Sequence, residues 1–384
     1  MPGPLGGGRA RGWPQRAGLA AGLALCCAFL LSSCASRPEF GALTATDAPA
    51  DGAHDRAILV ATTRARDPHP GTLFNGERAD GIDHAAVVVS VPQAHADGQI
   101  EWPSTPPGDP RANFVVRDAH YIEDGAGFIA ELNRQLALRP PGQRKTLVFV
   151  HGYNTKFAEA VYRVAQIAHD SQFPGVPILF TWASRGEPRE YVYDNNSATA
   201  ARDALERTLR AVAASNTEEV DVIAHSMGNW VAMEAFRQIV VSGKLPPHAK
   251  LGRIVLAAPD IDIDVFKSQM RRIGKPPKPF IVVVSQDDRA LGLSKFLAGD
   301  KDRLGDGANA AELTKLGAIV VDLTNLKGDD PSNHGKFAQL AHLAPKLSEA
   351  LRKGNAGQPS NEPDSLANSI VKIIGAPIRV LTPN

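Results

Sequence analysis

Cysteine is nearly absent from this sequence, and the few cysteines that occur are confined to its start. They are Cys26, Cys27 and Cys34, so the rest of the chain has no thiol to pair. A domain without disulfides depends on the size of its apolar core for stability. With 384 residues, the chain is long enough for one large core with additions.

The sequence also lacks an excess of charge of either sign. It has 42 lysines and arginines against 41 acidic residues, and without the three arginines of residues 1–33 the balance is 39 against 41. A net charge near −2 gives no electrostatic basis for binding nucleic acid, so no such partner is expected. No internal repeat is found.

The amino-terminal segment has the pattern of an export signal. Arg9, Arg11 and Arg16 precede the apolar run AGLAAGLALCCAFLL, and small residues follow it. The run is short and rich in alanine and glycine, unlike a membrane-spanning helix. We therefore expect residues 1–33 to be a signal peptide that is removed.

The end of this segment, LSSC, resembles a bacterial lipobox. The resemblance implies cleavage before Cys34 and a lipid anchor on that cysteine, which would tether the protein to a membrane. An ordinary signal peptide with an incidental cysteine is the alternative. Ala35 is not the aspartate that retains some lipoproteins in the inner membrane, so the expected location is the bacterial cell envelope, at the outer membrane facing the periplasm.

Composition divides the remainder into a tether, one large domain and a tail. Residues 34–55 are small and polar, as in a flexible tether, and the domain is expected over 56–353, with an extension at 56–140 that contains strands. Residues 354–384 read as a polar tail with one apolar patch, SIVKIIGAPIRVL. This patch would dock on the domain or touch a membrane.

From residue 145 onward, buried-strand patterns alternate with amphipathic helices. The strand patterns are KTLVFVHG, VPILFTW, VDVIAHS, GRIVLAAPD, FIVVVSQDD and AIVVDLT. Such alternation predicts the α/β class, with a mostly parallel, doubly wound sheet covered by helices on both faces. The segment ASRGEPREYVYDNNS is irregular, and its pattern leaves open whether it forms a lid.

Ser226 lies at a predicted strand-to-helix turn, in the sequence AHSMG. A serine on such a turn projects its Oγ beyond the carboxyl end of the sheet, and the next backbone N–H lies at a helix N-terminus. Ala224 and Gly228 are the small residues that let strand and helix approach closely, so the pattern is A-x-S-x-G in place of G-x-S-x-G. A serine that only caps the helix is the alternative.

A nucleophilic serine needs a base, and the base needs an acid that orients it. His334 follows the last predicted strand, and Asp288 follows the strand before it, which is the order expected in this architecture. Asp287 and Asp260 are alternative acids. His342 is a rival base, although its sequence context is helical. The stretch DIDID lacks the spacing of a calcium loop, so no metal site and no cofactor are predicted.

Two backbone N–H groups are candidates for stabilising an oxyanion. One belongs to Met227, directly after the serine, and the other to Tyr153 in the loop FVHGYN after an earlier strand. Gly152 would permit close approach of that loop. His151 is expected to be a structural hydrogen-bonding residue there.

These motifs together resemble a bacterial family of α/β-hydrolases described as serine esterases of unknown function. The resemblance rests on HGYNTKFAEAVYRVAQ, AHSMGN, LAAPDID, VSQDDRAL and NHGKF, and it covers roughly residues 56–350. It implies the α/β-hydrolase fold, with Ser226 as nucleophile and His334 as base. It assigns the acid less firmly, because the matching motif VSQDDRAL contains two adjacent aspartates, Asp287 and Asp288. Family members usually have Ser-Pro after the tryptophan of TWASRG, where this chain has Ala183.

The expected activity is hydrolysis of a small-molecule or lipid ester by a Ser226–His334–Asp288 triad. An acyltransferase or thioesterase with the same triad is one alternative, because the first half-reaction is the same. The other is a non-catalytic envelope lipoprotein that uses a hydrolase fold as a binding module.

Overall fold

The structure is a computed structural model that describes most of the chain after the leader. The described residues are 3, 37, 40–243, 250–274, 276, 278–297, 299–328, 330–343 and 378–383, so the expected signal peptide and Cys34 lie outside them. None of the helices among these residues has the length and apolar character needed to cross a membrane. Gly41–Asn384 forms one compact unit.

A ten-stranded sheet runs through this unit in the order β10-β9-β8-β7-β6-β4-β5-β1-β2-β3. The strands are β1 (His54–Arg66), β2 (Phe74–Val91), β3 (Val115–Ile122), β4 (Lys145–Val150), β5 (Val176–Thr181), β6 (Glu219–His225), β7 (Leu251–Ala257), β8 (Ile281–Val284), β9 (Ile319–Asp322) and β10 (Arg379–Leu381). Strands β4 to β9 pair in parallel, as do β1 and β5. The pairs β1–β2, β2–β3 and β9–β10 are antiparallel. The predicted mostly parallel sheet is confirmed.

Helices pack on both faces of the sheet. They are α1 (Gly125–Ala137), α2 (Phe157–Asp170), α3 (Tyr191–Ala214), α4 (Gly228–Val241), α5 (Ile263–Ile273), α6 (Arg289–Leu297), α7 (Ala310–Lys315) and α8 (Lys336–Gln339). Side chains of a strand alternate between faces, and β4 shows the consequence. Val148 and Val150 join the cluster that includes α1, α3, α4 and α5, whereas Leu147 and Phe149 join the cluster with α2.

The compact unit extends beyond the expected domain limits at both ends. Leu43, within the expected tether, is buried in the α2 cluster, and Tyr162 donates a hydrogen bond to the Ala42 carbonyl at 2.9 Å. This segment packs because its apolar side chains fit between α2 and the sheet. At the other end, Ile378 and Val380 are buried, and β10 pairs with β9 to form that edge of the sheet. The rest of the expected tail lies outside the described residues.

Candidate active site

Ser226 occupies a strained backbone position between β6 and α4. Its φ is +53°, in the left-handed region that non-glycine residues rarely adopt. The Ser226 N–H donates to the Ala257 carbonyl at 3.0 Å, and the Asn229 side-chain amide donates to the Ser226 carbonyl at 2.9 Å. Such strain persists only where the surroundings determine the conformation, and it is concentrated at functional sites. The two hydrogen bonds provide that determination here.

Glycines bring the neighbouring backbones against this turn. A Cβ on Gly228 would lie 2.3 Å from the His151 carbonyl oxygen, and one on Gly152 would lie 2.7 Å from the Ser226 Cβ. The loop after β4 therefore packs directly on the serine turn. Ala224 is fully buried in the core, so its methyl group is accommodated where the common pattern has glycine.

His334 and Asp288 are hydrogen-bonded partners. His334 Nδ1 lies 2.7 Å from Asp288 Oδ2, and the other carboxylate oxygen of Asp288 accepts the Leu291 N–H at 3.0 Å. Asp330 shapes the histidine loop by accepting the backbone N–H groups of His334 and Gly335. The Asp288 side chain is 1% exposed and that of His334 is 17% exposed, so the pair is shielded while the imidazole keeps access to solvent.

The alternative acids have other partners. Asp287 accepts from Lys336 Nζ at 2.7 and 2.8 Å. Asp260 accepts from Ser294 Oγ at 2.6 Å and lies 3.3 Å from Arg303 Nε. Neither aspartate is hydrogen-bonded to His334 in the described part of the chain.

The other charged or titratable residues singled out in the sequence lie elsewhere. His342 is in the 3₁₀ helix Ala341–Leu343 and bonds to none of these carboxylates among the described residues. Asp262, the second aspartate of DIDID, caps α5 by accepting the Asp264 and Val265 N–H groups. Within the described ranges, no group of three or more His, Cys, Asp and Glu side chains is arranged to hold a metal ion.

His225, which the sequence reasoning did not single out, lies between the serine and the histidine loop. Its ring stacks on Phe337 at 4.2 Å and lies 4.6 Å from the ring of His334. Burial, followed by the nearby His334, holds the pKa of His225 well below its usual value, so this ring is neutral. Its Nε2 lies 3.3 Å from the His334 carbonyl oxygen and can donate to it. Its position beside Ser226 was the only sequence signal.

The environment of His334 favours its protonated form. Burial alone would lower the pKa of His334, but the hydrogen bond and charge of Asp288 raise it. The charges of Asp260 and Asp330 act in the same direction, and the net result is a pKa above the usual value for histidine. Ser226 Oγ makes no hydrogen bond to His334 among the described residues. Contacts of this kind often form fully only when substrate is bound.

The two backbone N–H groups predicted to face an oxyanion make no hydrogen bond to another part of the described protein. Neither the Met227 N–H nor the Tyr153 N–H donates to an acceptor within the described residues. Met227 directly precedes α4, where the helix dipole favours negative charge. The carbonyl of Gly152 is instead engaged, because His151 Nδ1 lies 2.8 Å from it.

A family model described as alpha/beta hydrolase of unknown function (DUF900) matches residues 128–351, more than half of the chain. The chain belongs to this family of α/β-hydrolases. No curated protein matches the sequence. The matched region of the hydrolase includes Ser226, Asp288 and His334, whereas β1 to β3 precede it.

Solved structures similar to the hydrolase include two esterases. A mutant of esterase rPPE is 13% identical with a TM-score of 0.34, and the match covers 79% of this chain and 85% of that one. A monoclinic form of Pyrobaculum calidifontis esterase is 12% identical with a TM-score of 0.31, and the match covers 85% of the hydrolase and 86% of that chain.

Proposed function

We propose that this hydrolase cleaves carboxylic esters through an acyl-enzyme formed on Ser226. The observation that carries the proposal is the 2.7 Å bond between His334 and Asp288, in a loop packed beside the strained serine turn. Asp288 would hold the imidazole with its proton on Nδ1, so that Nε2 is free to accept the serine proton. Asp287 and Asp260 are bonded to cations instead, which supports Asp288 as the acid.

In the first half-reaction, Ser226 Oγ bonds to the ester carbonyl carbon while its proton passes to His334. The carbonyl oxygen becomes an oxyanion that the Met227 and Tyr153 N–H groups stabilise. The ester C–O bond then breaks, and the leaving alcohol takes the proton from His334. Water repeats the sequence on the acyl-enzyme, releasing the acid and restoring Ser226.

A fluorophosphonate probe tests this mechanism, because it reacts covalently with activated serines. Full-length protein in detergent is labelled beside Ser226→Ala and a matched control, Ser242→Ala, at the exposed far end of α4. We expect labelling of the wild type and of Ser242→Ala, none of Ser226→Ala, and a loss in kcat of about 10³ or more for p-nitrophenyl butyrate in that variant. An unlabelled but folded wild type, or a labelled Ser226→Ala variant, would exclude it.

We further propose that a lipid on Cys34 tethers the hydrolase to the bacterial envelope. The support is the LSSC sequence after a basic and apolar leader. Cells fed an alkyne fatty acid should incorporate the label into the wild type and not into Cys34→Ser, and the variant should leave the membrane fraction. A wild type without label would reject the anchor and leave the active-site proposal intact.

A further inference from the structure

Arg64 is a buried cation on β1 whose guanidinium bonds almost entirely to backbone and neutral groups. The residue is 1% exposed, and burial lowers its pKa to about 10, which still leaves it charged at neutral pH. It donates to Thr181 Oγ1 at 2.8 Å, to the Ser184 carbonyl at 2.7 Å and to the Thr155 carbonyl at 2.8 Å, and its Nη2 lies 3.4 Å from His151 Nε2. It forms no ion pair in the described part of the chain. Burying a charge in this way is unfavourable unless hydrogen bonds compensate for the lost water.

The contacts of Arg64 continue as a relay to the loop after β4. Because Thr181 Oγ1 accepts from Arg64, its own proton is directed to His151 Nε2, 2.8 Å away. The Trp182 N–H donates to the same nitrogen at 3.2 Å. Burial, and then the charge of Arg64, lower the pKa of His151 to about 3, so the ring is neutral. Its single proton is therefore on Nδ1, which donates to the Gly152 carbonyl.

The end of this relay is one peptide group, formed by the Gly152 carbonyl and the Tyr153 N–H. In a planar trans peptide the C=O and N–H bonds point in opposite directions. Holding the Gly152 oxygen on His151 therefore turns the Tyr153 N–H away from the interior. Like the Met227 N–H, this N–H has no protein acceptor among the described residues, and the proposed mechanism uses both groups.

The following residues of the loop are held from two sides. Arg64 binds the Thr155 carbonyl, and Asp194 of α3 accepts the Asn154 N–H at 3.0 Å. Asp194 also accepts from Ser184 Oγ at 2.6 Å, and Ser184 Oγ in turn accepts the Thr155 N–H. The loop is thus fixed between β1 and α3 without a contact that involves the reacting atoms.

We propose that Arg64 is a positioning residue for the oxyanion hole, acting through Thr181 and His151 on the Gly152–Tyr153 peptide. The inference rests on the proposed serine-esterase function. Arg64 touches no substrate, so its loss should weaken stabilisation of the tetrahedral oxyanion and leave substrate binding in the ground state largely unchanged.

The test compares variants at Arg64 and Thr181, the first two residues of the relay, in the full-length protein. Arg64→Gln removes the charge and the planar set of guanidinium N–H donors, and Arg64→Lys keeps the charge alone. Thr181→Val is isosteric and removes the hydroxyl that links Arg64 Nε to His151, leaving only the 3.4 Å approach of Arg64 Nη2. Thr181→Ser restores the hydroxyl. Arg66→Gln is the matched control, because Arg66 is on the same strand but exposed and bonded to Asp83. Each variant is assayed for kcat and KM with p-nitrophenyl butyrate and for inhibition by an aryl trifluoromethyl ketone, whose serine adduct carries an oxyanion.

Loss of an oxyanion-hole donor costs about 10²-fold or more in kcat. We expect a fall of about that size in Arg64→Gln and Thr181→Val, with KM changed by less than about threefold. Ketone affinity should weaken by the same factor as kcat/KM, because both depend on the oxyanion. Arg64→Lys should show an intermediate loss of kcat, since an ammonium group cannot replace the planar set of guanidinium N–H donors. Thr181→Ser and Arg66→Gln should match the wild type.

Unchanged kcat and ketone affinity in a folded Thr181→Val variant would overturn the inference, even if the Arg64 variants fail to fold. In that case an active wild type, labelled by fluorophosphonate, would leave the proposed function standing. Equal losses of kcat in Thr181→Val and Thr181→Ser, with KM raised and ketone affinity unchanged, would also overturn it. A wild type that neither labels nor hydrolyses esters would exclude the proposed function itself.

Discussion

At the scale of single residues, adjacent aspartates with opposite surroundings illustrate how the site is organised. Asp288 is turned inward to His334, whereas the half-exposed Asp287 is turned to the buried ammonium group of Lys336. Lys336 Nζ also lies 3.3 Å from the Leu323 and Thr324 carbonyl oxygens. Asp287 and Lys336 therefore belong to a hydrogen-bond network that holds the loop after β9. The two carboxylates should therefore have separable roles.

Replacing each aspartate by asparagine tests this separation. Asp288→Asn should lower kcat by about 10³ to 10⁴, because it removes the acceptor that orients His334. Asp287→Asn should destabilise the fold by leaving Lys336 unpaired, with kcat within about tenfold of the wild type at a temperature where the variant is folded. The measurements are kcat and urea unfolding of both variants. A larger loss of kcat in Asp287→Asn than in Asp288→Asn would reverse the assignment.

The pH dependence of the rate follows from the raised pKa of His334. The base must be neutral to act, so kcat/KM should rise with pH through a midpoint above 6.5, the usual histidine value. Asp260 is one of the charges that raise this pKa. Asp260→Asn should therefore move the acidic limb of the profile to lower pH.

The measurement is kcat/KM from about pH 5 to about pH 9 for wild type, Asp260→Asn and a control, Asp262→Asn. Asp262 is two residues from Asp260 and caps α5, whereas the charges that raise the pKa of His334 are those of Asp288, Asp260 and Asp330. Its variant should keep the wild-type midpoint. A shift of the Asp260→Asn limb to higher pH would contradict the electrostatic assignment.

At the scale of elements, the approach of α4 to β4 determines whether the serine turn can form. Gly228, the first residue of α4, faces the carbonyl oxygens of Val150 and His151, which are backbone atoms that cannot move aside alone. Overpacking a well-packed contact usually costs about 1–3 kcal/mol. Any increase in the distance between α4 and β4 would also shift the loop after β4, which carries the proposed oxyanion donor Tyr153.

Gly228→Ala should lower the free energy of unfolding by about 3 kcal/mol and abolish esterase activity. Gly292→Ala is the matched control, because Gly292 is also helical but its Cβ would meet no atom of the described residues within 4 Å. That variant should be unchanged or up to about 1 kcal/mol more stable, from helix propensity alone. Urea unfolding measures both. Equal stability of the two variants would contradict the packing argument.

The segment that looked irregular in sequence is bound to the amino-terminal strands. Helix α3 begins at Tyr191, within ASRGEPREYVYDNNS. Arg185 pairs with Glu77 of β2 at 2.9 Å, and the guanidinium groups of Arg78 and Arg185 both lie over the Tyr193 ring. These contacts join side chains more than 100 residues apart in sequence, so no local pattern could predict them. The segment is therefore held against β2.

Local patterns explain how much of the site was predictable. Ser226 directly follows the apolar run of β6, whereas His334 lies in the loop between the end of β9 at Asp322 and the start of α8 at Lys336. Their catalytic roles stay predictions. The choice between Asp287 and Asp288 depends on how one turn directs adjacent side chains. Arg64 contacts His151, Thr155, Thr181 and Ser184, which lie 87 to 120 residues away, and buried arginines have no sequence pattern of their own.

At the scale of the whole molecule, the amino-terminal strands are part of the hydrolase sheet. Residues 58–61 of β1 are fully buried, and β1 covers the edge of β5. The family match at residues 128–351 therefore corresponds to an incomplete folding unit. Removing β1 to β3 would expose both a strand edge and the core.

A chain of residues 128–384 should accordingly be insoluble or lack a cooperative thermal transition. Residues 41–384 are the control, since they keep the compact unit and should unfold as the full-length protein does. Size-exclusion chromatography and calorimetry compare the two. A monomeric 128–384 with a sharp transition would show that β1 to β3 are dispensable.

The burial of Leu43 has a consequence for the reach of an anchored enzyme. A tether from residue 34 to residue 56 could extend about 75 Å, but one that ends at Gly41 spans at most about 25 Å. With a lipid on Cys34, the body would stay within one protein diameter of the bilayer. Its accessible esters would then be those of the membrane surface and of molecules that diffuse to it.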